Sequence, residues 1–277
     1  MTSVNGYRAD AATLTGVSET ALLTLNVRAK EARRRGAIID DPMAVKLRDS
    51  IDFDFAKFGL SNRQDVALRA LAFDNNARRY LTAHPRATVV ALAEGLQTSF
   101  WRLDTPASEF RWLTVDLPPV IELRRKLLPR SPRISELPQS ALDFSWMDEV
   151  DPAEGVFITA EGLLMYLQPD EAMGLITQCA RRFPGGQMIF DLPPPFVSKI
   201  ARHGFRASLR YRVPPMPFSL SVAEIANLVK TVPGIRGVHD MPLPRGRGPV
   251  FNLMLWTMQR LPLFDPVRPT FTLLEFG

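Results

Sequence analysis

The chain has one cysteine, three histidines and no apolar run long enough to cross a membrane, and each scarcity removes a class of function. Cys179 alone excludes an internal disulfide and any multi-cysteine zinc site, and it fits a reducing cytoplasm. His84, His203 and His239 are scattered, so no metal centre is expected. The start of the chain carries no basic-then-apolar leader, and the expectation is a cytoplasmic protein with no membrane partner. No Gly-x-x-x-x-Gly-Lys segment is present to cradle phosphates. The net charge is +5, yet no Lys/Arg block is interleaved with aromatics. Arg33–Arg35 and Arg124–Lys126 read as solvated helix faces with acids nearby, and no nucleic-acid partner is expected. The oligomeric state is not legible.

What is present is enough apolar sequence for a globular core, 46% of 277 residues. Residues 1–17 are polar. From Ser18 the spacing of Ala21, Leu22, Leu23, Leu25, Val27 and Ala29 predicts a helix, with Ser18 or Thr20 as cap and Lys30 to Gly36 as its end. Asp40-Asp41-Pro42 opens a second helix with Pro42 in its first turn, and Asp65 to Ala83 reads as a third. The chain thus divides into a helical segment, 1–85, and an α/β domain, 86–277.

In that domain strand-like and helix-like segments alternate. Strands are expected near 88–92, 111–115, 155–160, 186–191, 235–239 and 250–257, and a short one at Ile134–Leu137 makes seven. Helices are expected at 96–103, 118–128, 169–182 and 220–231. Such alternation implies an α/β fold built on a mostly parallel sheet. Pro193-Pro194-Pro195 begins an irregular, arginine-rich insertion, 193–217, of the kind that forms lids.

Ligands of parallel sheets bind at the carboxyl ends of the strands. Four such ends carry acids: Glu94-Gly95 after the run Val89 to Leu92, Asp116 after Trp112 to Val115, Asp143-Phe144 after the short third strand, and Glu161-Gly162 after Val156 to Ala160. Strand, tight turn, helix, strand and acid is the layout of a nucleoside-binding unit, in which the acid takes both ribose hydroxyls. An acidic rim with no lysine suits a cationic ligand rich in hydroxyls and amines. S-adenosylmethionine, a sulfonium with a ribose diol, an adenine amine and no phosphate, fits it. A dinucleotide fits less well, because the turn keeps one glycine, Gly95.

Across residues 15–260 the chain resembles the bacterial branch of the leucine carboxyl methyltransferase family, which includes O-methyltransferases of polyketide biosynthesis. The resemblance rests on Gly16-Val17-Ser18-Glu19-Thr20-Ala21, Val89–Leu103, Val115-Asp116-Leu117-Pro118-Pro119-Val120-Ile121 and Ala160-Glu161-Gly162-Leu163-Leu164-Met165-Tyr166-Leu167. It implies a class I methyltransferase-like (Rossmann-like), mostly parallel seven-stranded sheet, with an N-terminal helical segment and a lid-like insertion. It further implies that Asp116, with Leu117 beside it, holds the ribose. Asp143 would accept from the adenine amine with Phe144 as apolar wall, Arg69 would meet the methionine carboxylate, and Glu161 and Gly162 would lie near the methionine end. Arg28 matches a further family arginine.

The family turn reads Gly-Ala-Gly-Leu-Asp-Thr-Arg, whereas this chain has Ala93-Glu94-Gly95-Leu96-Gln97-Thr98-Ser99. Ala93 restricts positive φ and narrows the approach of a ligand. Glu94 could meet the ligand's ammonium or pair with Arg102. For the acceptor, Arg28, Arg202 and Arg206 are candidate anchors, and Tyr166 and His203 are candidate catalytic groups. The expected activity is O-methylation of a carboxylate, or a hydroxyl, of a small molecule. A protein C-terminal carboxylate, and a cofactor-binding member without turnover, stand as alternatives.

Overall fold

Thr88 to Leu92 and Val156 to Ala160 are apolar on both sides of the backbone, the mark of strands covered on both faces. Both lie in the middle of the main sheet in the computed structural model, which describes residues 9–11, 14–59, 63–206 and 208–277. Ahead of that sheet, β1 (Ala9–Asp10) and β2 (Ile51–Asp52) form a two-stranded parallel pair. Between and after them come α1 (Thr20–Ala32), α2 (Pro42–Asp49) and α3 (Asp65–Ala83). Glu19, without a side-chain cap bond, precedes α1 in place of the expected Ser18 or Thr20 cap. Leu22, Leu25 and Ala29 of α1 share one apolar cluster with Leu96 and Val120, so the helical segment and the α/β domain are packed together.

The main sheet begins with β3 (Thr88–Leu92), followed by α4 (Ser99–Leu103), β4 (Arg111–Asp116), α5 (Pro118–Leu127) and β5 (Ile134–Pro138). It continues through β6 (Val156–Ala160), α6 (Pro169–Arg182) and β7 (Gln187–Leu192). The insertion holds α7 (Pro195–Ala201) and the hairpin β8 (Phe205–Arg206) and β9 (Arg212–Val213). The chain then forms α8 (Val222–Ala226), α9 (Leu228–Thr231), β10 (Ile235–Asp240), α10 (Pro249–Arg260) and β11 (Thr270–Phe276). Seven strands lie in the order β10-β11-β7-β6-β3-β4-β5. All neighbours among β3 to β7 are parallel, and β11 runs antiparallel between β7 and β10.

Several expectations are corrected. Residues 250–257 are helical, because Gly248 turns the chain at φ 86 and Pro249 occupies the first helical turn. The seventh strand is β11, where Thr270, Thr272 and Leu274 alternate with Phe271 and Leu273 between two partners. The expected helix at 220–231 is two short ones that meet at Asn227, and the insertion is ordered into a helix and a hairpin. The helix after β3 starts only at Ser99, which leaves residues 93–98 as a long turn.

That turn is held from below by buried arginines. Ala93 sits at φ 49, the only positive value at a non-glycine among the described residues. Such a conformation costs about 1–2 kcal/mol for a residue with a Cβ. Gly95, at φ 59, must stay bare, since a Cβ there would lie 3.0 Å from that of Ala21. Arg124, 1% exposed, donates to the carbonyls of Gly95 (2.9 Å) and Gln97 (3.0 Å) and pairs with Glu94 at 2.9 Å. It is thus a buried clamp and not part of a solvated face. Glu94 also accepts from Thr114 (2.6 Å) and Trp112 (3.2 Å). Its cation partner is therefore Arg124 and not Arg102.

The N-terminal helices and α4 supply the rest of the clamp. Arg28 of α1 donates to the carbonyl of Leu96 at 2.6 Å. Arg102 reaches Gln97 Oε1, Thr98 Oγ1 and Ser99 Oγ at 3.2, 2.7 and 2.8 Å, and is anchored by Asp74 of α3 at 2.6 Å. Asp41, which caps α2, receives Arg28 (3.3 Å), Arg102 (2.7 Å) and the Thr98 hydroxyl (2.7 Å). Burial opposes its ionisation, but the two arginines, with the Thr98 hydroxyl and the Ala44 amide, together hold its carboxyl below the ordinary range.

Replacing Arg124 by Met would strand the buried Glu94 carboxylate and two turn carbonyls. The expected loss is about 3–5 kcal/mol in urea unfolding, with part of it restored when Glu94→Gln is added. A loss below about 1 kcal/mol would show that the turn does not lean on this pair.

Candidate functional site

The chain leaves β3 for β4 and β5 on one side, then returns to β6 and β7 on the other. At this switch point the carboxyl ends of the strands open into a cavity of about 690 Å³. Its walls come from the loops at five strand ends: Gly95, Asp116, Ser140 to Leu142, Glu161-Gly162 and Asp191-Leu192. Thr20 and Arg69 reach in from the N-terminal helices.

Asp116 ends β4 with a side chain almost wholly buried, and burial pushes its carboxyl up to about 6 although backbone donors pull the other way. One oxygen accepts from the Gly95 amide at 2.6 Å and the other from the Leu117 amide at 2.7 Å. Each oxygen keeps acceptor capacity, which suits a vicinal diol. The same geometry disfavours a pyrophosphate, because the Gly95 N–H is already given to Asp116.

Arg69 crosses from α3 to the far side of the cavity. Burial disfavours its charge, but Asp191 and Glu161 outweigh that and raise its pKa. Its Nε donates to Glu161 at 2.9 Å and its Nη1 to Asp191 at 3.2 Å; Nη2 takes part in neither pair. Gln97 gives its amide to both Glu161 oxygens at 2.8 Å. Gly162 sits at φ 64, which a side chain would strain, and a Cβ there would press on the Arg69 guanidinium at 3.3 Å. Its amide donates to Asp191 at 2.7 Å. Tyr166 lines this region, and burial raises its phenol pKa although Arg69 lowers it.

The structure therefore brings together Arg69, Glu94, Gly95, Asp116, Leu117, Glu161, Gly162 and Tyr166 around one cavity. It separates the other candidates from it. Asp143 is exposed and caps its own turn through Ser145, at 2.8 Å to the hydroxyl, and Phe144 is exposed beside it. Neither lines the cavity, whereas Ser140, Ala141 and Leu142 just before them do. Arg28 is fully buried beneath the turn, where burial lowers its pKa. Arg202, Arg206 and His203 are exposed on the insertion, outside the lining.

Sequence reasoning missed Asp191 and Gln97. Asp191 obeys the rule that found Asp116, an acid closing a strand, but lay inside the expected strand 186–191 and was read as part of it. Gln97 was noted only as a departure from the family turn.

These residues fit S-adenosylmethionine: a paired acceptor for the diol, an acidic cluster toward the ammonium and sulfonium, and one guanidinium for the carboxylate. Among the described residues no group of His, Cys, Asp and Glu could hold a metal ion. No described helix is long and apolar enough to cross a membrane.

The family model of leucine carboxyl methyltransferase matches residues 21–180. The chain is 32% identical to the tetracenomycin polyketide synthesis O-methyltransferase TcmP of Streptomyces glaucescens, over 80% of this chain and 82% of that one. It is 28% identical to the S-adenosyl-L-methionine-dependent methyltransferase dpfgK of Gibberella zeae, over 72% and 73% of the two chains. A solved structure from Thermobifida fusca superposes with a TM-score of 0.54 at 17% identity, covering 92% of this chain and 94% of its own. A second, from Streptomyces avermitilis, gives 0.55 at 14%, covering 90% and 100%. The two structures establish the fold. With the matched family model and the relative TcmP, the chain belongs to the leucine carboxyl methyltransferase family and is an S-adenosylmethionine-dependent methyltransferase.

Proposed function

We propose that the acceptor is the carboxylate of a small apolar molecule, and that Asp116, Arg69 and Glu161 hold the methyl donor beside it. The observation that carries this reading is that every acid lining the cavity already has a partner. Asp65 is paired with Arg63, Glu94 with Arg124, and Glu161 and Asp191 with Arg69, while Asp116 accepts two backbone amides. Tyr166 and Tyr211, the phenols in the wall, are both pushed by burial toward the neutral form. A phenolic acceptor would need a base to remove its proton; no histidine lines the cavity, and each wall acid faces an arginine or, for Asp116, two backbone amides. A carboxylate is ionised at neutral pH and needs none.

The bound cofactor supplies a methyl group on a positively charged sulfur. The chain's own part is positional. Asp116 fixes the ribose end, the Arg69 cluster fixes the methionine end, and the apolar wall formed by Val197, Val213 and Met216 excludes water from the line between sulfur and acceptor oxygen. The relative TcmP, an O-methyltransferase of polyketide synthesis, supports a small-molecule acceptor over a protein terminus. The intact turn and the open cavity favour turnover over a cofactor-binding member without it.

Two outcomes are expected. Diol binding needs ionised Asp116, so S-adenosylhomocysteine affinity should be full above about pH 7 and fall through pH 6 to roughly one tenth at pH 5. The unliganded fold should show the opposite sign. The unfolded carboxyl ionises near its ordinary value, so between about pH 4 and 6 rising pH costs stability through this group. Calorimetric titration across this range checks the first point, and a flat profile, equal to that of Asp116→Asn, would remove Asp116 from the ribose contact. In a panel of aryl carboxylic acids and matched phenols, methyl ester formation should dominate, with kcat level from about pH 7 to 9. Methylation of phenols alone, rising with pH, would overturn the carboxylate assignment.

A further inference from the structure

Two segments border the cavity from outside the sheet: the insertion 193–217, which contributes Val197 and Phe205, and the 241–269 connection between β10 and β11, which contributes Leu243 and Pro269. Each is tied to the N-terminal helical segment. Ser208 donates to the carbonyl of Lys57 at 2.6 Å, and the Arg247 amide donates to Gln64 at 2.8 Å. Both segments leave large apolar side chains outside: Ile200 is 69% exposed and Leu209 93%, Leu253 62%, Trp256 55% and Leu263 82%. No residue of α10 is buried. Large apolar side chains exposed in this number on two neighbouring walls of one cavity call for a partner.

The charge on the same segments says which. The insertion has five Lys or Arg and no acid, and the 241–269 segment has four with Asp265 as its only acid. Arg210, Arg247 and Arg268 are held by Asp54, Glu31 and Asp240. Lys199, Arg202, Arg206, Arg245 and Arg260 have no carboxylate partner among the described residues. A second copy docked on this face would set like charges against each other. Protruding leucines at bends, a tryptophan on a helix and unpaired arginines suit a partner that is anionic at its surface, apolar beneath and indifferent to shape.

We propose that α10 and the 193–217 insertion dock this protein on an anionic lipid bilayer, with the cavity mouth turned toward the membrane. The helix lies in the interface and nothing spans, so the absence of a transmembrane helix among the described residues is no obstacle. The expectation of no membrane partner, drawn from the lack of long apolar runs, tested spanning and not surface contact. An apolar acceptor dissolved in the bilayer would then reach the cavity without crossing water. The proposal stands apart from the carboxylate assignment, since docking is read without any acceptor.

The test is flotation of the full chain with vesicles of phosphatidylcholine alone and of phosphatidylcholine with phosphatidylglycerol, at low salt and at about 1 M salt. Binding is expected only to the mixed vesicles, weakened by salt, with a blue shift of tryptophan emission that Trp256→Phe abolishes. Leu253→Glu with Leu263→Glu should cut the bound fraction at least about tenfold, and Arg245→Glu at least about fivefold. These side chains are exposed, so the thermal midpoint should not move, and an unchanged midpoint keeps any loss of binding attributable to the surface. Absence of flotation with both vesicles, or flotation indifferent to Leu253→Glu, would overturn the proposal. So would a concentration-dependent dimer that Leu253→Glu dissolves in the absence of lipid binding.

Discussion

The ion pair between Arg124 and Glu94, 2.9 Å long and closed to solvent, is the constraint on which the site depends. It draws the turn after β3 down onto α5 while Arg124 satisfies the Gly95 and Gln97 carbonyls. The Gly95 amide is thereby aimed at Asp116. Arg28 of α1 and Arg102 of α4 complete the hold, the second through Asp41 and Asp74 of the N-terminal helices. A buried ion pair contributes little net stability by itself, because desolvation offsets attraction. Its value here is geometric: it keeps a strained, ligand-facing backbone in one conformation.

That constraint answers what the departures from the family turn do. Ala93 carries strain at φ 49 that a glycine would not. Glu94, where the family has alanine, is the anchor for Arg124 and points away from solvent. Gln97, where the family has aspartate, spans the cavity floor to Glu161. The altered residues are each held by partners in this chain, Glu94 by Arg124 and Gln97 by Arg102, and the turn opens onto a 690 Å³ cavity. The helical N-terminal segment takes part, since it carries Arg28, Asp41, Asp74 and Arg69.

The sheet interior was readable because continuous apolar runs such as Val156 to Ala160 have one reading at strand length. The end of the sheet was not. Val250 to Trp256 is rich in residues that favour strands, and only its tertiary setting, an exposed path after Gly248 and Pro249, makes it helical. Thr270 to Phe276 carries the alternation of a strand, but with the run at 250–257 counted as the seventh strand no place in the sheet was left for it. Of the site, Asp116 and Glu161 were legible because strand ends announce themselves. Arg124 was not, because a cation on a helix beside acids reads as solvated until burial is known. The arginines of the insertion were placed by charge near a ligand loop, which does not say where a side chain points, and these lie exposed outside the lining.

The most direct test of the account is isothermal titration of the purified chain with S-adenosylmethionine and S-adenosylhomocysteine, with NAD as control. The account predicts one site per chain for either sulfur ligand, with a dissociation constant in the micromolar range, and no heat from NAD. No binding of either sulfur ligand would mean that Ala93 and Glu94 have closed the turn, and would contradict the claim that buried arginines hold it open for a cofactor.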